Sequence, residues 1–132
     1  MTTLRAVLVV HGVITLAGAA VLMLFPTAIP SVAGFTLDRQ AYLLVYVVSA
    51  AELAVAVLSF GAARLTDRAA LRLIVVTLAV LHATSGVLDI VYVSLTQANT
   101  TMVVNAVVRF VVAAVFVGLW RTVGHQTYGT RR

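Results

Sequence analysis

Four long apolar runs, separated by short polar interruptions, make up most of this sequence. They extend from about Ala6 to Phe25, Ala41 to Ala63, Ala70 to Leu95 and Met102 to Val123. A helix needs about 20 mostly apolar residues to cross a bilayer core, at ~1.5 Å per residue against ~30 Å. Each run meets that length. The pattern predicts an all-α fold, a single integral membrane domain built as a four-helix bundle. Pro26 stops the first run, and Pro30 is expected to keep the segment after it out of a helix. The loops from Leu65 to Ala69 and from Thr96 to Thr101 are short enough to allow only antiparallel neighbours, which gives an up-down-up-down bundle. The longer loop from Pro26 to Gln40, with Gly34, Phe35, Asp38 and Arg39, is expected to cap the outer mouth. The two halves of the chain do not resemble each other, so no internal repeat is read.

Composition agrees with lipid as the solvent. Of 132 residues, 62% are hydrophobic and only 10% are charged, with a mean hydropathy of +1.10; a soluble domain carries about 25% charged residues. With no cysteine, disulfides, thiol nucleophiles and cysteine metal sites are excluded. The net charge of +5 raises the question of nucleic acid. The arginines flank apolar runs and no nucleic-acid motif is present, so membrane lipid with anionic headgroups is the expected partner.

The same arginines set the direction of the spans. Arg5, Arg64, Arg68, Arg72, Arg121, Arg131 and Arg132 fall on one side of the alternating runs, and only Arg39 on the other. The excess of basic residues in cytoplasmic segments then places the chain in the inner membrane as a multi-pass protein with both termini cytoplasmic. Trp120 and Tyr128 suit the interfacial belt on that side. A cleaved leader is the competing reading of the first run, but no Ala-x-Ala-like site follows closely, so the run is expected to remain as a span. Asn99-Thr100-Thr101 matches a glycosylation sequon lying close to the bilayer.

Candidate chemistry lies in the polar groups inside the runs, where an ionisable side chain costs roughly 2.5–3.5 kcal/mol on insertion scales. Glu52, His82, Asp89 and Arg109 are well inside, accompanied by Tyr46, Ser49, Ser85, Tyr92 and Asn105. His82, Ser85, Asp89 and Tyr92 recur at helical spacing and share a face, as do Asn105 and Arg109, and Tyr42, Ser49 and Glu52. His11, Thr15 and Gly18 form a polar and small stripe on the first helix, and Gly12, Gly18 and Gly86 allow close backbone approach. The direction of the spans brings the four ionisable groups into the middle and outer half of the bundle. Arg109 is expected to pair with Asp89. Glu52 and His82 are then left to share a mobile proton, because two carboxylates face one permanent cation.

Two roles compete for this cluster. It holds helices together, or it performs acid–base chemistry, with Glu52, His82 and Asp89 catalytic and Asn105, Arg109, Tyr46, Ser49, Ser85 and Tyr92 binding substrate. The second role describes a small intramembrane isomerase, cyclase or hydrolase acting on a lipophilic molecule such as an isoprenoid or polyketide. The alternatives are an accessory subunit of a larger membrane complex, or a small transporter acting as a homodimer. Neither a metal nor another cofactor is expected: no ligand spacing supports a metal, and His11 and His82 lie at different depths, which disfavours a haem between them. His11 is read as a packed histidine.

The chain resembles the small four-helix bacterial membrane proteins of the DoxX-like and related uncharacterised families. The likeness lies in its length, its loop pattern, the segment from Pro26 to Gly34 after the first helix and His82 in the third. The resemblance implies a bacterial four-helix bundle and carries no agreed activity, so no catalytic residue is transferred from it. The small multidrug exporters share the size, but their hallmark glutamate in the first helix is missing here.

Overall fold

The computed structural model describes residues 2–96 and 100–125, with side chains through Thr122. Asn99 of the sequon, Tyr128, Arg131 and Arg132 lie outside the described residues. The elements are α1 (Thr2–Leu24), α2 (Ala28–Val32), α3 (Tyr42–Ala62), α4 (Arg68–Leu95) and α5 (Thr100–His125). All secondary structure among the described residues is helical, and α1, α3, α4 and α5 are long and apolar enough to cross a membrane. The chain falls into two compact units, Met1–Arg64 and Leu65–Arg132.

In the first unit α1 packs on α3. The buried positions of α1 are Leu4, Leu8, His11, Gly12, Thr15 and Ala19, those of α3 Val45, Ser49, Ala56, Ser59 and Ala62. Steps of three and four residues place each set on one helix face. Small side chains on these stripes let the two backbones come close. A Cβ built on Gly12 would stand 2.9 Å from Cε1 of Phe60, so the aromatic ring of α3 lies directly over the glycine.

The connection between α1 and α3 departs from the expected non-helical loop. Ala28–Val32 forms one short helix with Pro30 inside it. Pro30 is its third residue, in the first turn, where a backbone N–H has no intrahelical acceptor and the missing donor costs nothing. The turn ends at Gly34, whose φ of 80° lies in the left-handed region. That conformation is easy for glycine, and it lets the Phe35 N–H donate back to the Pro30 carbonyl at 2.9 Å.

In the second unit α4 begins two residues before the apolar run because Asp67 caps it. The Asp67 backbone is extended and its Oδ1 accepts from the N–H groups of Ala69 at 2.8 Å and Ala70 at 3.4 Å. A carboxylate there satisfies donors that the first turn leaves open. Helices α4 and α5 pack antiparallel. Going up α4, Arg72 meets Trp120, His82 meets Phe116, Gly86 meets Phe110 and Asp89 meets Asn105, descending along α5. Leu71, Val75, Leu78, Ala79 and Gly86 are buried on α4, with Ala106, Ala113 and Phe116 on α5.

The contact at Gly12 yields a test with an internal control. Gly12→Val drives a branched side chain into the Phe60 ring and is expected to destabilise the protein by about 1–3 kcal/mol, as overpacking does. Gly18 has nothing within 4 Å of a built Cβ, and Gly18→Val is expected to be near neutral. Thermal unfolding in detergent, followed by circular dichroism, separates the two; equal losses would contradict the packing described.

Candidate functional site

Three of the polar residues picked from the sequence come together between α4 and α5. Asn105 and Arg109 are one turn apart on α5 and so share a face; Asp89 reaches them from α4. The Asn105 Nδ2 donates to Asp89 Oδ2 at 2.8 Å, and Arg109 Nε lies 3.3 Å from the same oxygen. Arg109 Nε is buried and makes no aligned hydrogen bond, so its link to Asp89 is an ion pair by proximity. The side chains of Asp89 and Arg109 keep only 15% and 28% of their exposure. The pair is neutral as a unit, and the amide of Asn105 adds a directional bond across the helix interface.

The other candidates are placed differently. His82 lies about 10 Å along α4 from Asp89, two turns away. It is half-buried, with its ring stacked on Phe116 at 6.1 Å between centroids and 14° between planes. Ser85 is half-buried and Tyr92 exposed on the same helix. On α3 of the first unit, Tyr46 is exposed, and the buried Ser49 donates its hydroxyl to the Tyr46 carbonyl at 2.8 Å. Glu52 is half-buried on the stripe between Ser49 and Ala56. The structure therefore joins Asp89, Asn105 and Arg109 into one cluster across the α4/α5 interface.

His11, read as a packed histidine, is buried and has a partner that sequence reasoning missed. Its Nδ1 lies 2.9 Å from Ser59 Oγ. The Ser59 hydroxyl donates to the Val55 carbonyl at 2.8 Å, so His11 Nδ1–H is the donor to Ser59. Thr15 Oγ1 in turn donates to the His11 carbonyl at 2.9 Å. The available signal was position alone: Ser59 continues the stripe of Ser49, Glu52 and Ala56. A second missed contact is Arg72 on Trp120, whose guanidinium carbon stands 5.2 Å from the ring centroid.

One groove of about 250 Å³ runs along the α4/α5 hairpin, lined by Ile90, Val93, Val103, Ala106, Val107 and Phe110. Its wall is apolar and offers no group for proton transfer. Among the described residues, no three of His, Cys, Asp and Glu converge as metal ligands.

The cluster predicts a non-additive set of mutants. Asp89→Asn leaves the Arg109 charge without a counterion in a half-buried site within an apolar helix, and is expected to cost about 2.5–3.5 kcal/mol, as an uncompensated charge there does. Replacing both, Asp89→Asn with Arg109→Gln, is expected to recover most of that loss. Asn105→Ala removes one interhelical bond and is expected to cost about 1 kcal/mol. Unfolding free energies of the single and double variants in one detergent provide the comparison; additive losses would show that the residues do not act on each other.

No protein-family model, curated protein or solved structure matches this chain, so its own residues carry the functional argument.

Proposed function

We propose that this chain is a multi-pass protein of the bacterial inner membrane that acts as a non-catalytic subunit of a larger membrane assembly. Its four long helices run up-down-up-down, with both termini and the segment between α3 and α4 in the cytoplasm. The observation that carries the reading is the mutual engagement of Asp89, Asn105 and Arg109. Asp89 was the best placed carboxylate for work with Arg109 and Asn105, yet its Oδ2 is occupied by both. Groups that satisfy one another between two apolar helices serve to hold the helices in register.

Further support comes from the arginines and from the outer face of α5. Arg5, Arg64, Arg68, Arg72 and Arg121 lie at or beside helix ends that this topology assigns to the cytoplasm. Ala114 and Gly118 are exposed one turn apart, with nothing within 4 Å of a Cβ built on Gly118. Two small residues at that spacing suit close packing of another helix in lipid. The resemblance to DoxX-like four-helix proteins points to the same architecture.

Acid–base catalysis on a lipophilic molecule is the second reading, and Glu52 favours it. A carboxyl on the packed stripe of α3 is not needed for the contact of α1 with α3, which small residues and hydroxyls supply. In that reading Glu52 and His82 carry the proton.

Two measurements test the proposal. The chain has no cysteine, so single cysteines report topology cleanly. Thr66→Cys is expected to react with an impermeant thiol reagent only from the cytoplasmic side, and Thr36→Cys only from outside. The reverse pattern, or reaction of both from one side, overturns the topology. Native mass spectrometry from mild detergent is expected to show a complex larger than the 14.0 kDa chain, which Gly118→Leu dissociates. A monomer carrying a lipophilic molecule that Glu52→Gln fails to retain would instead establish the second reading.

A further inference from the structure

The α4/α5 hairpin ends in a group of arginines around the chain's single tryptophan. Arg68 opens α4 and Arg72 follows one turn later; Trp120 and Arg121 lie near the end of α5. Antiparallel packing brings these ends together, and the 5.2 Å contact of Arg72 with the Trp120 ring fixes their level. Arg68 and Arg121 are exposed, while Arg72 and Trp120 are half-buried.

Opposing charge is scarce at this end. Asp67 is the one nearby carboxylate in the sequence, and its Oδ1 is committed to the N–H groups of Ala69 and Ala70 as the cap of α4. Among the described residues, none of Arg68, Arg72 and Arg121 pairs with a carboxylate. The attraction of Arg72 to Trp120 acts through the face of the ring and uses none of the guanidinium N–H donors. Arginine presents those donors as a planar fork that matches phosphate oxygens. Tryptophan, for its part, favours the level where headgroups meet acyl chains.

We propose that Arg68, Arg72 and Arg121, grouped around Trp120, bind the phosphate of an anionic phospholipid in the cytoplasmic leaflet. The inference rests on the membrane placement proposed above and adds the lipid class and the residues. A soluble phosphate compound would meet the same donors, but it would make no use of the tryptophan or of the apolar helix walls that begin within a turn of it. Each arginine close to an anionic surface contributes about 1 kcal/mol, which is about a fivefold preference per arginine engaged.

The single tryptophan makes its fluorescence a reporter of this site. The full chain is reconstituted in vesicles of phosphatidylcholine and phosphatidylglycerol, with brominated acyl chains on one lipid or the other. Brominated phosphatidylglycerol is expected to quench Trp120 as though bound about fivefold or more in preference to phosphatidylcholine. Arg72→Gln and Arg121→Gln are each expected to lower that preference several-fold. Arg121→Gln leaves the contact of Arg72 with Trp120 in place, so its effect does not depend on disturbing the hairpin. Equal quenching by the two lipids overturns the inference while the membrane placement stands. Quenching by neither overturns the placement and the inference with it. Excess inorganic phosphate at constant ionic strength is expected to leave the preference unchanged; its loss would reassign the site to a soluble phosphate ligand and overturn the lipid assignment.

Discussion

Asp89 and Arg109 lie inside long apolar helices, where a charge lacking a counterion is the costliest group the chain can hold. Their meeting constrains most of the second unit. Because Arg109 must lie opposite Asp89, the antiparallel register of α4 and α5 is set to within a turn. A slip of one turn would move the partners about 5.4 Å apart along the axis. The remaining contacts then follow in order: Phe110 covers Gly86, Phe116 stacks beside His82, and Trp120 comes under Arg72. Asn105 reinforces the same register by donating to the same carboxylate.

The first unit reaches close packing by other means. Gly12 admits the Phe60 ring, and His11 meets Ser59 through a buried hydrogen bond. A hydroxyl is an inexpensive polar group in a helix, because it returns its hydrogen to a carbonyl three or four residues back. Ser49 does this to Tyr46 and Ser59 to Val55. That economy leaves the Ser59 oxygen able to accept from a neighbouring helix without a buried unsatisfied donor. The two units thus illustrate two ways of specifying helix pairing in an apolar chain, one by a charge pair and one by small residues and hydroxyls.

The same contrast explains what could be read from sequence. The four long helices were legible because an apolar run of such length has few other structures open to it. The pairing of Asp89 with Arg109 was legible because opposite charges at similar depth on adjacent helices have a strong reason to meet. Ser59 gave no such signal, since a serine in a helix needs no partner. The early start of α4 depended on the Asp67 cap, a local geometry that hydropathy does not register. The short helix α2 was missed because Pro30 was treated as a breaker, although proline is tolerated in a first turn. The cation–ring contact of Arg72 with Trp120 required the register of the hairpin, which apolar periodicity reports only as a face.

Arginine obeys opposite rules at the two depths of the hairpin. Within the apolar stretch Arg109 has a carboxylate and is shielded; at the end, Arg68, Arg72 and Arg121 have none among the described residues. Stability of the hairpin alone would favour an acidic residue among the latter, since like charges held together repel. The lone acidic residue there, Asp67, is turned to the backbone of α4 instead. The repulsion is tolerable where an external anion supplies the missing charge. In the membrane placement proposed above, an anionic lipid surface would do so continuously, and the uncompensated end would then follow from where the helix stops and not from a defect in its packing.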